Sequence, residues 1–155
     1  MDVLTHIKEE HVEFRSLMKK IEAAKGSKKK ELFHELYAEL HGHHEAEETV
    51  IFSKVKEKVK GEDEEVVKEM IEEHHLGSYQ FSLLERTSID NETWDAKFSV
   101  LKEVLDHHMK EEEKEFMPLA RKVMPKEWLD ESLKEFESVL EKNKKEKEKE
   151  LKAKK

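Results

Sequence analysis

The segment 107–118, HHMKEEEKEFMP, places ionisable side chains on a helix face that should be buried. The apolar stripe of this helix passes through His108 and Glu112, whereas His107 and Glu111 point away from it. The stripe consists of residues at helical spacing, namely Trp94, Phe98, Leu101, Leu105, Phe116, Leu119 and Val123. An ionisable group on a core face is costly unless it is paired or binds a metal ion. The stripe therefore predicts that His108 and Glu112, one turn apart, bind a common partner, and a metal ion is suitable.

Internal repeats extend this motif to most of the chain. Residues 43–53, HHEAEETVIFS, align without a gap with residues 108–118, HMKEEEKEFMP, and residues 9–11 and 72–74 share the sequence Glu-Glu-His. The chain therefore contains two copies of a helix pair, with a lone His on the first helix and H-x-x-x-E on the second. The predicted inward set consists of four His and two Glu: His11, His43, Glu47, His74, His108 and Glu112.

The second helix has a broad apolar arc, and its phase alone does not choose between two pairs. His43 with Glu47 and His44 with Glu48 lie on either side of the middle of this arc. The alignment with the 108–118 segment, where the phase is clear, favours the first pair. The acidic residues that precede His11 and His74 are open to two interpretations, because they are either surface charges or acceptors that orient the neighbouring imidazoles.

Composition restricts the class of protein. With 35% hydrophobic and 44% charged residues, four Gly and two Pro, the 155-residue chain is typical of a bundle of long helices whose outer faces carry Glu and Lys. The absence of Cys excludes disulfides, thiolate zinc sites and Cys nucleophiles. A net charge of −8 argues against nucleic-acid binding, and the sequence contains no signal peptide and no membrane span. We expect a cytoplasmic protein.

Turn and cap residues divide the chain into five helices. The first four are expected at about residues 2–24, 28–60, 64–86 and 92–118, with Pro118 kinking or ending the fourth, and Met124-Pro125 opens the fifth. Short connections predict an all-α fold, an up-down-up-down four-helix bundle with an additional C-terminal helix. We assign residues 1–140 to this bundle and its fifth helix, and residues 141–155 to a charged C-terminal helical tail that is solvated or frayed.

The doubled H-x-x-x-E-E motif, followed each time by two apolar residues and preceded one helix earlier by Glu-His, resembles the hemerythrin-like (HHE cation-binding) domains. The resemblance covers about residues 1–140. It implies two Fe ions in an oxygen-bridged di-iron centre that binds or reacts with O₂. It also implies that Glu47 and Glu112 bridge the two irons. Four imidazoles would each bind one of the two irons, and they belong to His11, His43, His74 and His108.

The chain departs from the best-known oxygen carriers of this family at two positions. Those proteins have a second His four residues after the first on the third helix, where this chain has Ser78, and they have an Asp five residues after the His of the fourth helix, where Glu112 follows at four. Five His would leave one coordination position open for reversible O₂ binding. Four His leave two open positions. Two open positions, or one of them filled by a seventh ligand, resemble family members that sense iron or oxygen, or react with peroxide or nitric oxide. His44 and Tyr79 are candidates for a seventh ligand.

Two other metal-site architectures fit the sequence less well. A ferritin-like di-iron oxidase needs E-x-x-H on two inward faces, but the occurrences at Glu31/His34 and Glu72/His75 both lie off the apolar stripes. An H-E-x-x-H zinc hydrolase is excluded because His44-Glu45 has no His at the required spacing. Mixed imidazole and carboxylate ligands with open positions favour non-haem iron or manganese.

The sequence therefore predicts a non-haem di-iron protein that binds O₂ or another small oxidant for carriage, storage or sensing. One alternative is a di-iron enzyme that reacts with peroxide, O₂ or nitric oxide on the same scaffold. Another is an iron- or oxygen-dependent interaction module, in which metal occupancy orders the bundle for a protein partner that the sequence does not identify.

The helical phase makes a direct prediction about metal content. We expect His108→Ala and Glu112→Ala to abolish bound iron, because both side chains lie on the core face, and His107→Ala and Glu111→Ala to retain it. Elemental analysis of iron per chain measures the difference. Iron loss confined to the second pair would show that the phase is wrong.

Overall fold

A computed structural model describes residues 1–153 of the chain. In this part 88% of residues are helical and there is no strand, which confirms the predicted all-α fold with its additional C-terminal helix. The elements in chain order are α1 Val3–Ala23, α2 Gly26–Ala46, π1 Glu47–Phe52, α3 Ser53–Glu57, α4 Glu62–Glu85, α5 Trp94–Glu111, π2 Glu112–Phe116, α6 Met117–Val123 and α7 Lys126–Ala153. The elements α2, π1 and α3 form one continuous helix, and so do α5, π2 and α6.

The helix boundaries follow local chemistry. Asp2 caps α1, where its Oδ1 accepts a hydrogen bond from the backbone N–H of Thr5 at 2.8 Å. Gly61 precedes α4 with a φ of +63°, a conformation that favours glycine. Pro118 does not end its helix, which continues to Val123. The reason is that π2 ends just before α6, so Pro118 takes one of the first positions of α6, where its missing N–H costs little.

Two apolar clusters lie on either side of a polar layer in the bundle. One cluster contains the first turns of α1 and the helical segments that follow the two H-x-x-x-E motifs. The other contains the second half of α1 and the segments of α2 and α5 that precede the motifs. Each of the four bundle helices therefore places apolar residues both before and after its His, and the layer between the clusters holds the predicted site.

The helix α7 packs along α2 at very short range. A Cβ atom at Gly42 would lie 2.5 Å from the carbonyl oxygen of Leu140 and 3.2 Å from the backbone nitrogen of Lys144. Farther along, Lys147 Nζ lies 4.8 Å from the centre of the Tyr37 ring. Leu151 is buried and belongs to the second cluster. Within the predicted 141–155 tail Leu151 is thus buried, although a single Leu among Lys and Glu gives no periodic signal. Residues 154 and 155 lie outside the described part.

None of the helices between residues 1 and 153 combines the length and the hydropathy that crossing a membrane requires.

The contact at Gly42 can be tested against a second helical glycine. We expect Gly42→Ala to lower the free energy of unfolding by about 1–3 kcal/mol, because the new methyl group would overlap a backbone carbonyl. At Gly77 the nearest atom to an added Cβ is Leu105 Cδ2 at 3.5 Å, which is an ordinary contact. Gly77→Ala should therefore raise the free energy of unfolding by about 0.5–1 kcal/mol. Chemical denaturation of both variants measures these changes. Equal effects at the two glycines would contradict the close packing of α7.

Candidate metal centre

The structure brings all six predicted side chains to one layer in the middle of the bundle. Each of them is at most 2% exposed. They are His11 on α1, His43 on α2, Glu47 in π1, His74 on α4, His108 on α5 and Glu112 in π2. On the second helix the inward residues are His43 and Glu47, in agreement with the choice made from the repeat.

Each carboxylate of this layer lies between imidazoles from different helices. Glu47 Oε1 is 3.3 Å from His43 Nε2 and 3.2 Å from His74 Nε2. Glu112 Oε1 is 3.1 Å from His11 Nε2 and 3.9 Å from the Nε2 of His108. Both carboxylates therefore connect the two halves of the repeat, as a bridging ligand would.

The donor atoms of the buried layer form two groups, in each of which all ligand atoms lie within 4.8 Å of one another, and a third group, Glu73, His107 and Glu111, lies toward the surface. The first consists of His11, His43 and Glu112. The second consists of His44, Glu47, His74 and His108, and in it the Nε2 atoms of His74 and His108 are 3.0 Å apart. Two imidazole nitrogens at this distance can share at most one proton, so this arrangement suits a cation that both nitrogens bind.

Several buried polar atoms of the layer make no hydrogen bond within the described residues. These atoms are His43 Nε2 and both carboxylate oxygens of Glu47 and of Glu112. Buried polar groups are nearly always hydrogen-bonded, and an unpaired buried carboxylate is especially costly. The unpaired atoms all face one small region, so the residues present fit a metal site.

A second set of carboxylates holds the outer nitrogen of each imidazole. The Nδ1 atoms of the four His lie 2.7–3.0 Å from a Glu oxygen of the helix next to them. The pairs are Glu10 with His43, Glu48 with His74, Glu73 with His108, and Glu113 with His11. An Nδ1–H that donates to a carboxylate leaves the Nε2 lone pair free for a metal ion. Together the four contacts form a closed cycle. A Glu of α1 contacts the His of α2, a Glu of π1 in the same continuous helix as α2 contacts the His of α4, a Glu of α4 contacts the His of α5, and a Glu of π2 in the same continuous helix as α5 contacts the His of α1.

Sequence reasoning did not identify these outer carboxylates. It left open whether Glu10 and Glu73 orient imidazoles, and the structure shows that they do, while Glu9 and Glu72 lie outside the cycle. The roles of Glu48 and Glu113 were missed. The available signal was the second Glu of H-x-x-x-E-E, which recurs in both copies of the motif.

Both motif carboxylates begin a π-helical segment. Glu47 is the first residue of π1 and Glu112 is the first residue of π2. Single π-helical turns within α-helices are frequent at functional sites. Their occurrence at equivalent positions shows that the sequence repeat is also a repeat of backbone conformation.

Two residues proposed as a seventh ligand differ in position. The His44 ring stacks on His74 with ring centres 3.7 Å apart, and its nitrogen belongs to the second donor group. Burial and the nearby His74 lower the pKa of His44 well below its usual value, so this ring is neutral and able to bind a metal ion. Tyr79, by contrast, is 62% exposed, which does not support it as a ligand.

Residues His107 and Glu111 form a separate contact at the surface. His107 Nε2 lies 2.8 Å from Glu111 Oε2, and the His107 side chain is 71% exposed. The structure therefore places both outside the buried layer, as the helical phase predicts.

Comparison with known proteins agrees with this geometry. Residues 2–120 match the family model of the hemerythrin HHE cation binding domain. The chain belongs to this family. A solved structure that is similar to it is described as a crystal structure of a hemerythrin HHE cation binding domain-containing protein, the Rv2633c homolog from Mycobacterium kansasii. The two chains are 23% identical, the TM-score is 0.82, and the alignment covers 94% of this chain and 89% of the other, which shows a shared fold. No curated protein matches the sequence.

The electrostatics of the buried layer are consistent with the cation binding that describes the HHE family. Burial and the adjacent Glu112 raise the pKa of Glu47 well above its usual value. Burial also favours the neutral form of Glu112, but Glu47 and His11 outweigh it and lower the pKa. Without a cation, the surrounding protein groups therefore favour one negative charge on the Glu47–Glu112 pair. A bound cation would favour two negative charges on it. Burial and the neighbouring His108 lower the pKa of His74, which keeps its imidazole neutral as a ligand requires.

The outer carboxylates of this HHE domain can be tested with adjacent residues. We expect Glu10→Ala to weaken metal binding by about 10–100-fold, because His43 would lose the acceptor that orients its ring. Glu9→Ala removes the neighbouring exposed carboxylate and should leave the affinity unchanged. Competition with a chelator of known affinity measures both variants. Equal losses of affinity would assign the effect to surface charge rather than to ring orientation.

Proposed function

We propose that this HHE domain is a non-haem di-iron protein that binds O₂ or a related small oxidant. The observation that carries the proposal is the pair of buried carboxylates, whose four oxygens lack hydrogen bonds and face the Nε2 atoms of oriented imidazoles. The carboxylate oxygens of this site lack a positively charged partner. Two metal ions between Glu47 and Glu112 would supply it.

The donor chemistry favours iron. All candidate ligands are imidazole nitrogens or carboxylate oxygens, and the sequence has no Cys. Such sets with open positions suit redox-active non-haem iron. We propose that His11 and His43 hold one ion, that His74 and His108 hold the other, and that Glu47 and Glu112 contact both. When bound, iron would supply the redox chemistry that O₂ binding needs.

His44 bears on the number of open coordination positions. Ser78 removes a fifth imidazole relative to the best-known oxygen carriers, but His44 brings another imidazole to the same group. We propose that His44 takes this fifth place beside His74 and His108, which would leave the one open position on the ion held by His11 and His43. One open position is the arrangement expected for reversible O₂ binding.

The alternative is a di-iron enzyme that consumes peroxide or another oxidant. A small pocket reaches His44 and His74 from the surface. It favours this alternative, because repeated turnover requires access for substrate and product. Sustained oxidant consumption by the iron-loaded protein would identify the enzyme.

Metal content and the visible spectrum test the proposal. We expect about two irons per chain, because the ligand atoms form two groups. The anaerobically reduced protein should gain charge-transfer bands in air and lose them under vacuum. Bands that form once and do not reverse would favour oxidant chemistry, and little or no iron after reconstitution would refute the di-iron centre.

Removal of iron with a chelator should lower the melting temperature, because a ligand that binds only the folded state stabilises it.

A further inference from the structure

A small pocket between α2 and α4 connects the surface to the candidate metal centre. Its volume is about 110 Å³, and His44 and His74 form its inner end. Tyr37 and Phe81 line one wall, and their rings stack with centres 4.6 Å apart. Ser78 lies at the outer end and is exposed. The pocket therefore leads from solvent to the imidazoles of the second donor group.

The size and charge of the pocket restrict what can use it. An apolar cavity of roughly 150 Å³ holds benzene, so a smaller space of this kind admits molecules of only a few heavy atoms. The lining contains the carboxylates of Glu45 and Glu48 together with the imidazoles of His41 and His75, and Glu48 is paired with His74 Nδ1 at 2.9 Å. A lining that mixes these groups with the rings of Tyr37 and Phe81 accommodates small neutral molecules.

The equivalent position on the other half of the repeat is filled. The alignment of residues 9–11 with 72–74 places Arg15 opposite Ser78, and the alignment of 43–53 with 108–118 places Met109 opposite His44. Arg15 Nε lies 3.1 Å from Asp106 Oδ1, and Met109 is 3% exposed within the second apolar cluster. Arg15 Nη1 also lies 3.8 Å from the carboxylate that orients His11. A salt-bridged Arg and a buried Met therefore occupy this side, where the other side has Ser and His.

We propose that a small neutral oxidant reaches the centre through the pocket beside Ser78, and not from the side closed by Arg15 and Met109. This inference rests on the proposed function, because it specifies how the oxidant approaches the same site. It makes the two halves of a nearly symmetric centre unequal, because the oxidant would pass the half that contains His44 and His74 before it reaches the open position on the ion held by His11 and His43.

The lack of Cys in this chain allows a selective test. Ser78→Cys introduces a single thiol at the outer end of the pocket, which benzyl methanethiosulfonate converts to a benzyl disulfide large enough to fill the space. The iron-loaded, reduced protein is then mixed with O₂ in a stopped-flow spectrometer. We expect the association rate to fall about tenfold or more, with iron per chain unchanged, since each added 1.4 kcal/mol of barrier slows a step tenfold.

Ser16→Cys is the matched control, because Ser16 is an exposed serine next to Arg15 on the other half of the repeat. After the same labelling it should associate with O₂ at the wild-type rate. Ser78→Trp is a second way to fill the pocket and should slow association without any chemical labelling. Reduction of the disulfide on labelled Ser78→Cys should restore the rate.

Xenon provides a readout that is independent of iron chemistry. In xenon-pressurised crystals we expect density in the pocket of the unlabelled protein and none in the labelled Ser78→Cys protein. Unchanged O₂ association in labelled Ser78→Cys and in Ser78→Trp, or equal slowing in labelled Ser16→Cys, would overturn the inference. If the unmodified protein binds no iron or shows no response to O₂, the proposed function fails, and xenon in the pocket then decides separately whether this route is accessible.

Discussion

The structure depends on the burial of two carboxylates and four imidazoles in one layer. Removing an ionised carboxylate from water costs several kcal/mol unless other groups compensate for it. Here Glu47 and Glu112 are fully buried, and their oxygens find no hydrogen-bond donor within the described residues. Apolar clusters on both sides of the layer hold the helices together despite this cost. The fold therefore holds together a group of side chains that a cation would stabilise, which agrees with membership of a cation-binding family.

Much of this arrangement could be predicted because helical phase is a strong signal in a bundle. A residue such as His108 lies on a stripe fixed by apolar neighbours on both sides, so its direction follows from geometry alone. On the second helix, where the phase was ambiguous, the alignment of residues 43–53 with residues 108–118 favoured His43 and Glu47. The inner six residues are thus encoded locally, and the structure brings them together as expected.

Other features could not be predicted because they depend on pairs of helices. The repeated second Glu of H-x-x-x-E-E marks Glu48 and Glu113 as a pair, but only the position of the neighbouring helix reveals which imidazole each contacts. The contact of α7 with Gly42 has the same origin, since a helical glycine gives no indication of what packs against it. Leu151 is buried by a distant helix although its own neighbours are nearly all charged. In these cases the tertiary contact, rather than the local pattern, determines the role of the residue.

The cycle of four Glu–His contacts has a mechanical consequence for the bundle. Each of its helices takes part in two contacts, one through a carboxylate and one through an imidazole, and the last contact returns to the first helix. A closed ring has no terminal link, so breaking any one contact leaves all four helices joined in an open series. Loss of a single carboxylate should therefore release one imidazole without separating any helix from the others. The bundle therefore tolerates the loss of any single contact of this ring without loss of its connectivity.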